Sequence, residues 1–226
     1  MASLGNSKLR SVSSLSFMAI MVVAIIHLVG IVGLNSASYH AFFERLAGVN
    51  LLLSFLLVMV FHKPVNKRFV FFCLFAFIIG MSLEIIGVNT GYPFGSYCYT
   101  NVLGPQILGV PFIIGFNWIL LSYSAAISVA LYLKHWWQRV VAASVMMVGI
   151  DLLLESFAIH HHFWIWQSAG PPVQNYVAWF LISLLIQFGF VRLIPSSSNA
   201  NAPRYLVILS LFLLIDLLFS SVGRTF

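Results

Sequence analysis

Asp151 and Glu155, in the run Ile150-Asp-Leu-Leu-Leu-Glu155, are the residues of this chain best placed to do chemistry. Four residues apart on a helix, they share one face and sit one turn from each other. Two carboxyls so close in a low-dielectric setting cannot easily both ionise, so one is expected to hold its proton at neutral pH. That supplies a general acid beside a candidate general base. Only three further acids exist: Glu44, Glu84 and Asp216. Glu44 abuts Arg45 and reads as a solvated pair at a membrane edge, whereas Glu84 and Asp216 lie inside apolar runs.

The elements that must hold these acids follow from composition. Of 226 residues, 61% are hydrophobic and 7% charged, with a mean hydropathy of +1.01. Soluble domains carry roughly 25% charge, so this is a membrane protein. Apolar runs at 16–34, 46–61, 69–87, 107–133, 140–159, 176–194 and 205–222 give about seven spans near the ~20 residues that a crossing helix needs. The fold class is all-α, a polytopic bundle of about seven transmembrane helices forming one domain over 1–226. The formal charge of +6 does not point to nucleic acid, because its distribution is topological. Lys8, Arg10, Lys63, Lys67, Arg68, Lys134, Arg139, Arg192 and Arg204 fall on one side, with only Arg45 and Arg224 on the other. The positive-inside rule then makes the protein multi-pass in the cell (inner) membrane, with a cytoplasmic N-terminus. A cleavable leader is disfavoured, since the first apolar run is long and the site after it poor. Cys73 and Cys98 are assigned to opposite sides and are not expected to pair. Ser196–Ala202 reads as a flexible turn.

Depth can be read from a rise of ~1.5 Å per residue: Glu84 and Glu155 come out roughly 5–6 Å from the outer ends of their spans, Asp151 about 12 Å, and Asp216 and His27 about 10 Å. Buried ionisable groups in spans are costly, and five in one layer point to a single polar pocket. Asp216 alone reads equally well as a structural partner of His27 or Arg224.

Two connections on the same side close over that layer, GVNTGYPFGSYCYTNVLGPQILGVP at 87–111 and HHHFWIWQSAGPPVQN at 160–175, and neither contains Lys, Arg, Asp or Glu. Tyr97, Tyr99, Trp164 and Trp166 fit an interfacial aromatic belt, but the Gly and Pro content argues for a packed segment lining a cavity. The connections also echo each other. Glu84 leads to Gly109-x-Pro111 and Trp118; Glu155 leads to Gly170-x-Pro172 and Trp179, with the same Gly-to-Trp interval. Two hairpins related by rotation about the membrane normal, with a site between them, are the expected arrangement.

The remaining motifs are weak. His160, His161 and His162 point in different directions on a helix, while His27, His40, His62 and His135 are scattered, so no metal is expected. No G-x-S-x-G or nucleotide loop occurs in the chain.

The run from Glu84 through Tyr92-Pro-Phe94-Gly95-x-Tyr97-x-Tyr99, then Leu103-Gly-Pro105, Gly109-Val-Pro111, Trp118 and Tyr123, resembles the carotenoid hydratases of the membrane carotenoid biosynthesis family. So does Asp151-Leu-Leu-Leu-Glu155 with Trp164, Trp166, Pro172-x-x-Asn175 and Trp179. The resemblance covers about residues 70–190; Ser156 and Pro171 depart from the usual pattern. It implies addition of water to the terminal double bond of a linear ψ carotenoid end, without metal or cofactor. Asp151 is the candidate acid and Glu155 or Glu84 the base. Tyr92, Phe94, Tyr97, Trp118, Trp164, Asn175 and Trp179 are the candidate substrate-binding residues. The implied partners are a linear carotenoid, water and the lipid bilayer, with neighbouring carotenoid-pathway enzymes as further candidates. A membrane lycopene-type cyclase and a seven-span carrier or receptor are the competing readings.

Overall fold

Apolar runs of this length, in a chain that must satisfy its backbone hydrogen bonds without water, form helices. The computed structural model describes the backbone of residues 2–194 and 197–222 and the side chains of 14–194 and 197–220. The side chains of Lys8 and Arg10, and all of Ser196 and Arg224, lie outside the described residues. Seven helices follow in order: α1 (Ala2–Leu34), α2 (His40–Met59), α3 (Lys67–Thr90), α4 (Ile113–Ala130), α5 (Trp136–His160), α6 (Val173–Leu193) and α7 (Asn201–Val222). All seven contain a stretch long and apolar enough to span a membrane.

Boundaries differ most from the hydropathy reading at three helix starts: α1 begins at Ala2 rather than 16, α4 at Ile113 rather than 107, and α2 at His40 rather than 46. The first turns of α2 are polar, which lowers hydropathy, yet His40 Nε2 sits 2.9 Å from Glu44 Oε1 across one helical turn. Glu44 therefore pairs with His40 along its own helix; the surface pair with Arg45 does not form. α3 is bounded by side-chain and backbone chemistry. Asn66 caps its start by accepting from the Phe69 N–H at 3.0 Å, and Gly91 ends it at φ +75°, a conformation that suits glycine.

α4 is the central post, packed against α2, α3, α5, α6 and α7. Small residues at 122, 124, 125, 126 and 128 are all buried and let neighbouring backbones approach. Gln187 of α6 donates to the Ser122 carbonyl at 2.9 Å, joining the two helices across their apolar contact.

At the end of the bundle where α3, α5 and α7 finish, the two uncharged connections are folded rather than loose. β1 (Tyr97–Tyr99) pairs antiparallel with β4 (Trp164–Trp166) in the register Tyr97↔Trp166, Cys98↔Ile165, Tyr99↔Trp164. Bonds from Thr100 N to Phe163 O (3.0 Å) and from Gln167 N to Ser96 O (2.9 Å) prolong this ribbon. A second small hairpin joins β2 (Gln106–Ile107) to β3 (Val110–Pro111). Its turn residues Leu108 and Gly109 both have positive φ, as a type I′ hairpin turn requires. Cys73 and Cys98 are both free thiols.

Candidate active site

Strand periodicity positions the site. Alternate residues of a strand point to opposite faces, so Tyr97 and Tyr99 turn into the bundle while Cys98 is exposed, and Trp164 and Trp166 turn inward while Ile165 is exposed. Each inward pair meets one glutamate. The Tyr97 and Tyr99 hydroxyls donate to Glu84 Oε2 at 2.5 and 2.8 Å; the Trp164 and Trp166 indoles donate to Glu155 Oε2 at 3.0 and 2.8 Å. Burial, with the nearby Glu84 adding to it, pushes both phenols far above the ordinary tyrosine range, so they stay protonated and remain donors.

The helices after the connections complete both shells. Trp118 of α4 donates to Glu84 Oε1 at 3.1 Å. Asn175 of α6 donates to Asp151 Oδ2 at 3.0 Å and reaches Glu155 Oε1 at 3.5 Å, bridging the two acids of α5. Both glutamates are thus surrounded by donors and are built to accept. Asp151 differs: Asn175 is its one described donor and occupies one oxygen, which leaves the other free to carry a proton.

A cavity of about 470 Å³ lies beneath the ribbon. Glu84, Asp151, Tyr99, Trp118, Trp164 and Trp179 form one polar and aromatic part of its wall, and residues of α1, α2 and α7, mostly apolar but including His27, Asn50, Ser54 and Tyr205, form most of the rest. Trp118 and Trp179 stack, centroids 4.2 Å apart and rings 19° from parallel. Among the described residues no Lys or Arg lines this space.

The expected residues therefore divide by position. Glu84, Asp151, Trp118, Trp164 and Trp179 reach the cavity wall. Glu155, Asn175 and Tyr97 are buried just behind it, where they bond the wall residues, and Phe94 is buried against Tyr97. Tyr92 does not join them: it follows the left-handed Gly91 cap, is 72% exposed and lies outside the cavity. Tyr99 and Trp166, read from sequence only as interfacial aromatics, are ligands of the two glutamates; the Tyr-x-Tyr and Trp-x-Trp alternation was the signal.

Asp216 also departs from expectation. It lies 2.9 Å from His161 Nε2 and accepts from Asn35 Nδ2 at 3.1 Å, while His27 bonds the Val23 carbonyl at 2.8 Å and faces the cavity. His161 is fully buried, so the middle histidine of the triplet is a structural partner of α7. Among the described residues no cluster of three His, Cys, Asp or Glu is placed to hold a metal.

A family model for carotenoid biosynthesis proteins matches residues 46–224. The chain is 35% identical over 125 residues to the bisanhydrobacterioruberin hydratase of Haloarcula japonica, an alignment covering 49% of this chain and 42% of that protein. The match thus spans less than half of the relative's length. No solved structure matches.

Proposed function

The chain belongs to the carotenoid biosynthesis protein family, and from that premise we propose that it is a hydratase adding water to the terminal C=C of a linear ψ end group by acid catalysis. One observation carries this reading: Glu84 and Asp151 stand on the wall of one apolar cavity whose neighbouring faces are indoles. The hydratase named above, similar over part of its length, supports the reaction class.

Asp151 gives its proton to the CH carbon of the isopropylidene double bond. The π electrons form the new C–H bond, and a tertiary cation remains at the dimethyl carbon. The indole faces of Trp118, Trp164 and Trp179 stabilise that cation electrostatically without bonding to it. Water adds to the cation, and a carboxylate takes the surplus proton, so the acid pair ends the cycle with the protons it began with. Glu84 suits this last role because it lies on the cavity wall, whereas Glu155 sits behind it as a positioning residue for Asp151, through Asn175. The basic end of the bundle faces the cytoplasm on this reading, and the ribbon lies outside.

The test is expression in a lycopene- or γ-carotene-accumulating bacterium, followed by mass analysis of the pigments. The parent chain should give a product heavier by one water, and Asp151→Asn should abolish it while the protein still inserts. A product of unchanged mass would mean internal capture of the cation, as in a cyclase, and would overturn the hydratase reading. So would an undiminished hydroxycarotenoid yield from the Asp151→Asn protein.

A further inference from the structure

The cavity is closed towards the ribbon. Phe94, Tyr97, Leu103, Phe163 and Trp166 are all buried there, and α2 is held against the turn at 101–103 so closely that a Cβ on Gly48 would come 2.8 Å from the Leu103 carbonyl oxygen. The residues of α3 to α7 that line the cavity are buried or half-buried. Those that both line it and stand exposed on the outer surface belong to two helices: Ile25 and Val29 of α1, and Leu46, Val49 and Leu53 of α2. Spacings of four on α1, and of three and four on α2, put each set on one stripe of its helix. Both stripes are wholly aliphatic and fall within stretches apolar enough to span a membrane. The cavity wall and the lipid-facing surface thus share residues along the seam between α1 and α2.

We propose that this seam is a lateral portal for a long apolar polyene, whose end group lies in the cavity against Glu84 and Asp151 while the rest of the chain stays in the bilayer. A cavity of about 470 Å³ takes a drug-sized body, and a linear carotenoid is longer than that, so most of it must lie elsewhere. The exposed residues of the rim are aliphatic and suit a hydrocarbon chain, while the polar lining residues of the same two helices, Asn50, Ser54 and His27, are half-buried or buried. The identity of the ligand rests on the hydratase reading; the position of the opening does not. The division of labour also matches the family comparison: the shared region begins at residue 46, so α1 contributes one whole side of the portal from outside it. Substrate choice is then set by α1 and α2, separately from the acids of α3 and α5.

Val29→Trp with Val49→Trp fills the seam at two lipid-exposed positions, and Val177→Trp, exposed on α6 and away from the cavity, is the control. The full chain is reconstituted in lipid nanodiscs. Hydration is measured for a linear carotenoid and for a short acyclic isoprenoid with the same terminal double bond, and carotenoid retained by each purified protein is read from its absorbance. The double variant should lose at least about tenfold in carotenoid turnover and retention relative to Val177→Trp. Equal carotenoid retention by the two would overturn the portal. If the parent hydrates neither substrate, the hydratase reading fails, and retention alone still decides the portal. Should the tryptophan pair not elute as a single species, a photoreactive phenylalanine analogue at Val49 or at Val177 replaces it. Cross-linking to carotenoid must then be greater at Val49; equal or weaker cross-linking there overturns the proposal.

Discussion

Trp118 and Trp179 stack face to face, 4.2 Å between centroids, although they come from different helices and only Trp118 is described as bonding a carboxylate. They end two parallel series: Glu84, β1 and α4 on one side, Glu155, β4 and α6 on the other. The antiparallel ribbon relates the series by a local two-fold through Cys98 and Ile165. The indoles meet where the two halves close over the cavity, which makes them unequal only in what their N–H groups do.

That inequality predicts different costs. Trp118→Phe keeps an aromatic face but removes the donor to Glu84, and a hydrogen bond to a charged group is worth about 1.5–3 kcal/mol. Turnover should fall about 10–100-fold, mostly in kcat, while Trp179→Phe falls by less than about tenfold. Steady-state product formation by both variants, normalised to folded protein, checks this; equal losses would contradict a special role for the Trp118 N–H.

Gly87 gives a second prediction, on stability. A Cβ there would lie 2.7 Å from Phe94 Cδ2 and 3.1 Å from the Tyr97 hydroxyl. Phe94 is 1% exposed and has no room to retreat. Gly87→Ala should therefore cost about 1–3 kcal/mol through overpacking and displace Tyr97 from Glu84. Thermal unfolding in detergent measures the first effect. Lower turnover of the protein that remains folded measures the second.

How much of this was legible beforehand depends on the length scale of the signal. The spans were readable because twenty apolar residues in a row have one physical solution. The acids of α5 were readable because four residues make a helical turn. The pairing of β1 with β4 was not, since three-residue strands over sixty residues apart carry no local pattern beyond alternation; the echo around Gly-x-Pro and Trp hinted only that the two connections were related. Whether Tyr92 faces the cavity was not legible, because its direction depends on the left-handed Gly91 before it. The His161 partner of Asp216 was not legible because depth alone does not find it: His161 reaches it from the end of α5, where the chain leaves the helix, while Arg224 lies outside the described residues.

The two tyrosines predict a pH dependence. Burial and the nearby Glu84 hold both phenols far above their ordinary value of ~10. In the unfolded chain they ionise near pH 10, while in the folded chain they keep their protons. The unfolded state then binds fewer protons, so the stability they confer is full below about pH 10 and declines as pH rises beyond it, by up to ~1.4 kcal/mol per pH unit for each phenol. Denaturant unfolding between about pH 9 and 11.5 should show that decline, and Tyr97→Phe should make it shallower. An unchanged slope in the variant would mean that Tyr97 titrates normally.

The His161–Asp216 contact predicts a change in stability without a change in chemistry. Both residues are buried, and neither lines the cavity. Asp216 is also the acceptor for Asn35, so it ties the end of α1 and the turn after α5 to α7. Removing one partner of a buried hydrogen-bonded pair typically costs about 1–3 kcal/mol, because the other is left unsatisfied. Asp216→Ala should therefore lower the unfolding midpoint strongly. Asp216→Asn retains an oxygen and an amide in the same volume, and should lower it less. Both proteins should keep near-parental turnover per folded molecule at a temperature where each is folded, since Glu84, Asp151 and their donors are untouched. Joint measurement of unfolding midpoint and normalised turnover separates the two roles: loss of turnover in fully folded Asp216→Asn would place the pair in the catalytic machinery, and unchanged stability in Asp216→Ala would mean that the contact does not hold α7 in place.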